Sequence, residues 1–380
     1  MGPGPSAVHP RVLAAMSRPL VGHLDPFFLE LLDSVQGELR KVFGTTNALT
    51  LPISGTGSAG METCFANLVE EGDEVVIGVN GVFGTRMCAV ASRLGAKVVK
   101  VDAEWGRTIE PDAVAAALAQ CDKPSMVAIV HAETSTGAWQ PVPEISELAH
   151  GAGALLLLDT VTSVAGCPVE LDAWEVDAAY SGTQKCLSCP PGLSPVSFSD
   201  AARQKIAARA SEPRSWYFDL SLIGAYFGND RVYHHTAPVS MVYALSEALA
   251  LVAEEGLENR YARHERNHYA LMAGLAELGL APVAEEGKRL WMLNSVFVPE
   301  GIDEASVRKR LLIEHGIEIG AGLGPLAGRV WRIGLMGESS TEANIRRLLL
   351  ALGSELANAG GAGMDTRAAL AAADGVFENS

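Results

Sequence analysis

Ser181-Gly-Thr-Gln-Lys185 and, before it, Ala154-Leu-Leu-Leu-Leu-Asp159 each place one reactive side chain directly after an apolar run. A lysine amine can form an imine with an aldehyde cofactor, and a buried carboxylate can keep a pyridine nitrogen protonated. Pyridoxal phosphate (PLP) chemistry uses both groups on opposite sides of one ring. Taken singly, such a lysine is usually a solvated loop residue, and such an aspartate is often a helix N-cap. Lys185 and Asp159 together indicate a PLP enzyme.

The composition is that of a well-buried globular enzyme, with 48% hydrophobic and 19% charged residues in a chain of 380. This length suffices for one large core and a smaller domain. The formal net charge of −16 argues against nucleic acid as the main partner, because a phosphate backbone needs clustered Lys and Arg. The sequence has no run of about 18 apolar residues, so we expect no membrane-spanning segment.

The cysteines and the N-terminal sequence favour a cytoplasmic location. The six cysteines, at positions 64, 88, 121, 167, 186 and 189, are scattered among apolar residues, as is typical of reduced core thiols. Cys186-Leu-Ser-Cys189 matches C-x-x-C but has no second pair, which a zinc site would require. We interpret it as packing beside Lys185, with a redox role as the alternative. Met1-Gly-Pro-Gly-Pro-Ser6 lacks a basic region followed by an apolar one, so we expect no secretion signal.

Apolar runs alternate with amphipathic stretches between residues 49 and 199, which indicates a mainly parallel seven-stranded sheet covered by helices on both faces. The predicted strands are Leu49–Ile53, Glu74–Val79, Lys97–Asp102, Ser125–His131, Ala154–Asp159, Ala178–Ser181 and Val196–Ser199. The predicted helices are Ser58–Glu70, Phe83–Leu94, Pro111–Gln120 and Glu144–Gly151. Ligands of such sheets bind beyond the carboxyl ends of the strands. We therefore expect Thr56, Thr134, Asp159 and Lys185 at one common site.

The C-terminal part of the chain has a different pattern. A long helix is predicted over Val242–Arg266, with an interruption at Gly256. From about Asn267, the order helix, strand, helix, strand, helix suits a smaller α+β domain. Gly360-Gly-Ala-Gly363 and the Ala-rich residues after it are typical of a linker and a frayed helix. The expected division is an N-terminal segment over 1–17, a large domain over 18–256, a small domain over 257–356 and a flexible tail over 357–380.

Gly55-Thr-Gly-Ser-Ala-Gly60 reads G-x-G-x-x-G between a predicted strand and a predicted helix, which is the dinucleotide-binding pattern. An NAD-dependent oxidoreductase is therefore the main alternative. That interpretation needs an acidic residue at the end of the next strand, to bind the ribose hydroxyls, but Asn80 follows that strand. A glycine turn at a helix N-terminus binds any phosphate through its free N–H groups and the helix dipole. The single phosphate of PLP fits equally well, and Thr56 and Ser58 add hydroxyl donors.

Eight motifs follow one another in unbroken order, and the similarity that they carry runs from residue 2 to about residue 355. They are Met1-Gly-Pro-Gly-Pro-Ser6, Ile53-Ser-Gly-Thr-Gly57, His131-Ala-Glu-Thr-Ser-Thr-Gly137, Leu158-Asp-Thr-Val-Thr-Ser163, Tyr180-Ser-Gly-Thr-Gln-Lys185, Pro190-Pro-Gly192, Tyr233-His-His-Thr236 and Trp331-Arg-Ile-Gly-Leu-Met-Gly337. Together they resemble the alanine–glyoxylate (serine–pyruvate) aminotransferases, which are class V PLP enzymes. The resemblance implies the PLP-dependent transferase fold, fold type I, with a large and a small domain.

The resemblance also implies roles for the residues that match. Lys185 resembles the lysine that bonds to the cofactor aldehyde, and Asp159 resembles the partner of the pyridine nitrogen. Thr134 resembles the hydroxyl residue near the phenolic oxygen of the cofactor. The groups that resemble a phosphate site are Thr56, Gly57, Ser58 and Gln184. Phe83 stands where better-known members have a tryptophan stacked on the cofactor ring, and a phenylalanine can stack there with a smaller area.

Other matching residues are expected to bind the substrate or a second subunit. Arg332 resembles the arginine of the substrate carboxylate, and a planar guanidinium can donate two parallel hydrogen bonds to a carboxylate. Its alternative role is an internal salt bridge. Tyr233 and Thr236 resemble residues that reach the phosphate site of the neighbouring subunit of a homodimer, with a polar surface turn as the alternative. Gly4 belongs to a segment that, by resemblance, crosses the dimer interface near the substrate. No metal site is expected.

The implied activity is transfer of an amino group from alanine or serine to glyoxylate or pyruvate by a ping-pong mechanism. Serine–glyoxylate and ureidoglycine–glyoxylate aminotransferases are alternatives within the same class. A desulfurase-like or kynureninase-like lyase is another, although a desulfurase typically has a histidine before its lysine, where this chain has Gln184. A binding or regulatory protein that has lost the cofactor is a third possibility, which the full set of cofactor contacts argues against.

Overall fold

A computed structural model of the chain describes residues 1–228, 230–360 and 365–379. The helices are α1 Pro10–Met16, α2 Pro26–Phe43, α3 Gly57–Leu68, α4 Val82–Arg93, α5 Pro111–Leu118, α6 Pro143–Gly151, α7 Asp200–Ala207, α8 Leu220–Phe227, α9 Val239–Glu255, α10 Leu257–Glu277, α11 Glu304–His315, α12 Glu342–Asn358 and α13 Thr366–Glu378. The strands are β1 Leu49–Ser54, β2 Glu74–Val79, β3 Lys97–Asp102, β4 Pro124–Val130, β5 Ala132–Glu133, β6 Ala138–Trp139, β7 Leu155–Asp159, β8 Ala178–Tyr180, β9 Leu193–Phe198, β10 Leu293–Phe297, β11 Gly320–Ala321 and β12 Val330–Gly334.

A seven-stranded sheet in the order β1-β9-β8-β7-β4-β2-β3 is the main feature of the fold. The pairs β7–β8, β4–β7, β2–β4 and β2–β3 are parallel, and β9 is antiparallel to both of its neighbours. The prediction of a mainly parallel seven-stranded sheet is therefore confirmed. All seven predicted strands are present, and the last begins earlier than predicted, at Leu193 instead of Val196.

Helices cover both faces of this sheet, and strand β7 shows why its sequence is continuously apolar. Leu156 and Leu158 face a core that includes residues of α2, α5, α6 and α9. Leu157 faces the opposite core, together with residues of α3 and α4. A strand buried on both faces needs an apolar run and cannot alternate with polar residues. Asp159 is thus the last residue of a central, buried strand, and its carboxylate lies at the edge of the sheet.

The predicted long helix is two helices, α9 and α10, which meet at Gly256 (φ 79°, ψ 140°). This conformation is not helical and suits glycine, so the predicted interruption is confirmed, but the second helix continues to Glu277. After it, β10, β12 and β11 form an antiparallel sheet whose apolar face packs on α10, α11 and α12. This arrangement agrees with the α+β pattern expected after residue 267.

The sequence predicts a flexible tail with a linker and a frayed helix after residue 357, and the described part of this segment contains a packed helix. Residues 366–378 form α13, whose N-cap Asp365 accepts hydrogen bonds from the amides of Arg367 and Ala368. Ala369 and Ala373 are buried in the same core as α10 and α12. Alanine has a small side chain and a high helix propensity, so an Ala-rich segment can pack closely on a neighbouring helix. The predicted linker, residues 360–363, lies outside the described residues except for Gly360.

Among the described residues, no helix is both long enough and apolar enough to cross a membrane.

Candidate active site

The predicted site residues meet at one edge of the seven-stranded sheet. Because β1, β7 and β8 run in the same direction, their carboxyl ends lie at the same edge. Asp159 ends β7, and Lys185 follows β8 after a turn. Thr56 follows β1, and Thr134 follows β4, whose carboxyl end is also at this edge. This edge is where ligands bind in open α/β sheets.

Asp159 is 3% exposed and accepts two hydrogen bonds, one from the Tyr180 hydroxyl at 2.7 Å and one from the Val161 amide at 2.8 Å. Burial raises the pKa of Asp159 to about 7, and these hydrogen bonds act in the opposite direction. A buried carboxylate of this kind is stabilised in its charged form by a cationic partner. A protonated pyridine nitrogen is such a partner, so the position of Asp159 fits the predicted role.

Lys185 lies at the same edge, and burial lowers its pKa to about 8. Its Nζ atom donates a hydrogen bond to the Pro3 carbonyl. At this pKa a substantial fraction of the amine is neutral near pH 8, and only the neutral amine attacks an aldehyde. The lysine is thus partly withdrawn from water and available to form a covalent bond.

The N-terminal segment covers Lys185 within the same chain. The Ser6 amide donates to the Gln184 carbonyl at 2.8 Å, and the Ser6 hydroxyl donates to the Lys185 carbonyl at 2.7 Å. Gly4 has φ +106°, and a Cβ atom added to it would lie 2.7 Å from the Lys185 Nζ atom. Gly4 therefore lies beside Lys185 of its own chain, and its role in substrate binding stays a prediction. Helix α1 packs on α9 of its own chain, where Arg11 pairs with Glu247 at 2.7 Å, so the crossing of residues 1–17 to a partner subunit stays a prediction.

The predicted phosphate site is the N-terminus of α3. Gly57 is the first helical residue, and Thr56 occupies the N-cap position without forming a side-chain capping bond. Thr56 and Ser58 are both exposed. The free N–H groups, two hydroxyls and the positive end of the helix dipole are suited to one phosphate.

Gln184 adds an amide to this region. Its buried Oε1 atom has no hydrogen-bond partner among the described residues. Rotation of the amide group would place its NH2 donors in the same position. A buried amide without a partner is costly, so a ligand with polar oxygens fits there.

Thr134 is 2% exposed, and its carbonyl accepts a hydrogen bond from Arg332 at 3.2 Å. Phe83 is partly buried in the first turn of α4, and the Arg86 guanidinium lies 5.1 Å from the centre of its ring. Thr134 thus contacts Arg332 directly, whereas Phe83 lies beside Arg86.

Arg332 is a buried cation that forms no salt bridge among the described residues, although the charge of the buried Glu133 acts on it from a greater distance. It lies in β12 and is 8% exposed, and its Nε atom donates to the Ala321 carbonyl at 2.7 Å. Burial lowers the pKa of Arg332, although guanidinium groups remain charged in proteins. Within residues 1–228, 230–360 and 365–379, no carboxylate oxygen lies within salt-bridge distance of Arg332. The alternative role as one half of an internal salt bridge is therefore wrong for the described residues.

Tyr233 and Thr236 are exposed and lie in a segment between α8 and α9. Tyr233 is 55% exposed, and its hydroxyl lies 3.4 Å from the Thr236 hydroxyl. Their segment is held near the end of β1 by His235, whose Nε2 atom is 2.8 Å from the Ser54 hydroxyl. Their predicted role towards a partner subunit stays a prediction.

Two residues of the site were missed by the sequence analysis. Tyr180 pairs with Asp159 across β7 and β8 and donates its hydroxyl to that carboxylate. Its place at the end of a predicted strand beside Asp159 was the available signal. Glu133, which comes shortly after the apolar strand β4, is fully buried. A single carboxylate within the otherwise uncharged stretch from Ala132 to Gly137 was the signal in that case.

The dinucleotide alternative lacks its acidic residue. Asn80, which follows β2, is 1% exposed and donates a hydrogen bond to the Arg107 carbonyl at 2.9 Å. It is therefore occupied by a contact within the protein. The lysine, the buried aspartate and a helix terminus that is suited to a phosphate together define a PLP-dependent enzyme of fold type I.

Comparison with known proteins places the chain within one family of that class. The profile of the family described as aminotransferase class-V matches residues 12–345, and the chain belongs to this family. It is an aminotransferase, and its cofactor is PLP.

Similar proteins include the (S)-ureidoglycine–glyoxylate transaminase of Bacillus subtilis, with 40% identity over 100% of this chain and 95% of the relative. The alanine–glyoxylate aminotransferase of Oryctolagus cuniculus is 41% identical over 93% of this chain and 91% of the relative. Among solved structures, the alanine–glyoxylate aminotransferase from Nostoc sp. superimposes with a TM-score of 0.92, at 49% identity and 94% coverage of both chains. The ureidoglycine–glyoxylate aminotransferase of Bacillus subtilis has a TM-score of 0.97 at 41% identity, covering 100% of this chain and 97% of that one.

Proposed function

We propose that this enzyme transfers the amino group of a small amino acid, alanine or serine, to glyoxylate or pyruvate. The observation that carries the proposal is the buried Arg332, whose guanidinium has no carboxylate within salt-bridge distance among the described residues. Amino acids and 2-oxo acids both have a carboxylate that can pair with it. The relatives named above are transaminases of glyoxylate, which supports glyoxylate as the acceptor.

The residues have distinct tasks in this reaction. When bound, PLP supplies an aldehyde that exchanges amino groups and a ring that accepts electrons from the substrate Cα. Arg332 binds the substrate carboxylate and thereby orients the Cα–H bond. The Lys185 amine would hold the aldehyde group of the bound cofactor between turnovers and would serve as general base and acid for the substrate Cα proton. Asp159 holds a proton on the pyridine nitrogen. The two half-reactions use the same groups in opposite order, which gives ping-pong kinetics.

A lyase of the desulfurase type is disfavoured by the state of the nearby thiols. Such a reaction needs an accessible thiolate, whereas Cys186 and Cys189 are buried. Burial raises the pKa of each to about 12, so both are protonated at neutral pH. Serine–glyoxylate and ureidoglycine–glyoxylate transamination remain alternatives within the same mechanism.

The function is tested by a matrix of amino donors and oxo-acid acceptors. Alanine, serine and ureidoglycine are each incubated with glyoxylate and with pyruvate, and the new amino acid is quantified. We expect the highest kcat/KM with alanine or serine and glyoxylate. A kcat/KM for ureidoglycine well above both would replace the proposed donor, and absence of transamination with every pair would refute the proposal.

Arg332→Lys is expected to weaken the binding of all substrates to a similar extent, because lysine keeps the charge but cannot donate two parallel hydrogen bonds. We expect KM for alanine and for glyoxylate to rise at least about tenfold, which corresponds to loss of one charged hydrogen bond. The absorbance of bound PLP should stay near that of the wild type. Steady-state kinetics and PLP titration measure both quantities.

Arg329→Lys is the matched control for this variant, because Arg329 is exposed and lies three residues before Arg332. It should leave both KM values unchanged. If Arg332→Lys lowers the melting temperature but leaves KM unchanged, Arg332 has a structural role only.

We further propose a homodimer in which Tyr233 and Thr236 complete the phosphate site of the partner subunit, as their exposure at this edge allows. Mixing Lys185→Ala subunits with Tyr233→Ala/Thr236→Ala subunits should then restore activity. One site of each mixed dimer would receive native residues from both chains. The measurement is activity after co-refolding of the two inactive or impaired proteins, with each alone as control. A fully active monomer in light scattering would contradict the proposal.

A cytoplasmic location also stays a prediction. It is supported by the six cysteines, which are all unpaired, as expected in a reducing compartment.

A further inference from the structure

The N-terminus of α4 is capped by a turn from a distant part of the chain. Gly81 precedes the helix and provides no side chain, so the first N–H groups need other acceptors. The Val82 amide donates to the Ser135 hydroxyl at 3.0 Å, and the Phe83 amide donates to Glu133 Oε2 at 3.1 Å. The turn 133–135 thus holds the first turn of α4, which carries the predicted ring-stacking residue.

Glu133 is built into this position from several sides. It is fully buried, and its Oε1 atom accepts hydrogen bonds from the Ser135 amide at 3.0 Å and the Ser135 hydroxyl at 2.6 Å. Burial raises its pKa, while these donors and those of α4 favour the charged form. A carboxylate at a helix N-terminus also interacts favourably with the helix dipole. Burial of a carboxylate costs free energy. Because the proposed mechanism gives Glu133 no chemical step, we look for another role for it.

Gly81 shows that the close approach of Glu133 to α4 is part of the fold. A Cβ atom at position 81 would overlap the Glu133 carboxyl group and the Ser135 hydroxyl. Any residue other than glycine would therefore push the turn away from the helix. Gly81 is extended rather than left-handed (φ 178°), so it is needed here for space and not for its backbone conformation.

The turn and the helix that it caps each carry a further residue close to these contacts. Thr134 lies between the two capping residues, and its carbonyl accepts the hydrogen bond from Arg332. On the helix side, Arg86 lies over the Phe83 ring at 5.1 Å from its centre. The carboxylate of Glu133 is the direct connection between Phe83 and the segment that contacts Arg332.

We propose that Glu133 is a positioning residue that fixes Phe83 for contact with the cofactor ring. The proposal rests on the proposed function, because it assumes that Phe83 stacks on PLP. In this role Glu133 acts on Phe83 and not by direct contact with substrate or cofactor, although its charge also acts on Asp159 and Arg332. Glu133 affects cofactor binding by holding the main chain of Phe83. The effect of changing Glu133 should therefore disappear when the phenyl ring of Phe83 is removed.

A double-mutant cycle on PLP affinity tests this connection. Glu133→Gln keeps the shape, but its NH2 group must face at least one N–H donor of Phe83 or Ser135. We expect the dissociation constant of PLP, measured by titration of the cofactor-free full-length protein, to rise about tenfold. If only the negative charge of Glu133 mattered, its loss would strengthen binding of the anionic cofactor. Weaker binding would therefore indicate that Phe83 is no longer held in position. In a Phe83→Leu background, Glu133→Gln should change the dissociation constant less than about twofold.

Further variants separate positioning from a general loss of stability. Gly81→Ala should reproduce the effect of Glu133→Gln, because it displaces the same carboxylate. Glu144→Gln, at an exposed position in the first turn of α6, is the matched control and should leave PLP affinity unchanged. If Glu133→Gln does not fold, Ser135→Ala replaces it in the cycle, since it removes one donor to Glu133 and the acceptor of Val82.

The outcomes distinguish this inference from the proposed function. Equal effects in the native and Phe83→Leu backgrounds, or an unchanged dissociation constant in Glu133→Gln, would overturn the positioning role alone. If the wild-type protein bound no PLP, the proposed function itself would fail.

Discussion

Lys185→Ala is expected to abolish turnover, with a fall in kcat of at least about 10⁴-fold, because one side chain is both the covalent attachment point and the general base. The variant should still bind PLP noncovalently, since the phosphate site and Asp159 are unchanged. Borohydride reduction of the wild-type enzyme should fix the cofactor on the peptide that contains Lys185. Peptide mass spectrometry and steady-state kinetics measure the two results.

Lys205 is a matched control for the labelling, because burial also lowers its pKa. It lies 3.6 Å from an Asp73 carboxylate oxygen and also contacts Ser125, so its amine is held in its charged form by a partner. We expect no label on it and near-normal turnover in Lys205→Ala. Label on Lys205 or another lysine would contradict the assignment of Lys185.

The pH dependence of cofactor attachment follows from the lowered pKa of Lys185. Only the neutral amine reacts, so the rate at which the cofactor-free protein bonds to PLP should rise with pH and level off above about 8. An exposed lysine, with an ordinary pKa near 10.4, would give a rate that still increases at pH 9. Stopped-flow absorbance over this range distinguishes the two cases.

Asp159→Asn is expected to lower kcat by well over the roughly 10²-fold typical of a single positioning contact. Asparagine has the same shape but cannot hold a proton on the pyridine nitrogen as a charged partner. The ring then accepts electrons poorly, and both half-reactions slow down. Single-turnover kinetics with alanine and with glyoxylate measure each half-reaction separately. A variant with near-normal turnover would mean that Asp159 only caps the turn at Val161.

The pH dependence of the stability of the cofactor-free protein provides an independent test of the raised pKa of Asp159. The pKa of Asp159 is about 7 in the folded state, above its ordinary value, so the folded state favours the protonated form. Ionisation therefore costs stability as pH rises from about 4, and the cost is complete above about 7, on the order of 4 kcal/mol. The free energy of unfolding of the wild type should therefore fall between pH 4.5 and pH 8 by this additional amount. In Asp159→Asn, this part of the decrease should be missing.

Asp177→Asn is the control for both measurements. Asp177 is also buried, but it lies at the opposite edge of the sheet, where it accepts a hydrogen bond from the Leu156 amide at 2.9 Å and contacts His150 at 2.8 Å. Its loss should reduce stability without a specific loss of kcat. Equal effects of the two variants on catalysis would indicate that both act through the fold.

The sequence predicted most of the large sheet because local patterns decide it. Short apolar runs that alternate with amphipathic segments, such as the one ending at Asp159, favour buried strands, and parallel strands bring their carboxyl ends to one edge. The convergence of Thr56, Thr134 and Lys185 on Asp159 follows from this topology alone. Their chemical types then indicated PLP before any side-chain position was known.

Tertiary structure decided the features that depend on contacts between distant segments. Arg332 could have paired with any acidic residue of the chain, and only the folded arrangement leaves its buried charge without a carboxylate within salt-bridge distance among the described residues. The same holds for Glu133, whose cap of α4 joins residues fifty positions apart. For α13, burial of Ala369 and Ala373 between neighbouring helices outweighs a composition that suggested a flexible tail. The physical reason is common to all three, because local sequence sets the propensity of a segment, whereas burial and charge pairing depend on what the rest of the chain places beside it.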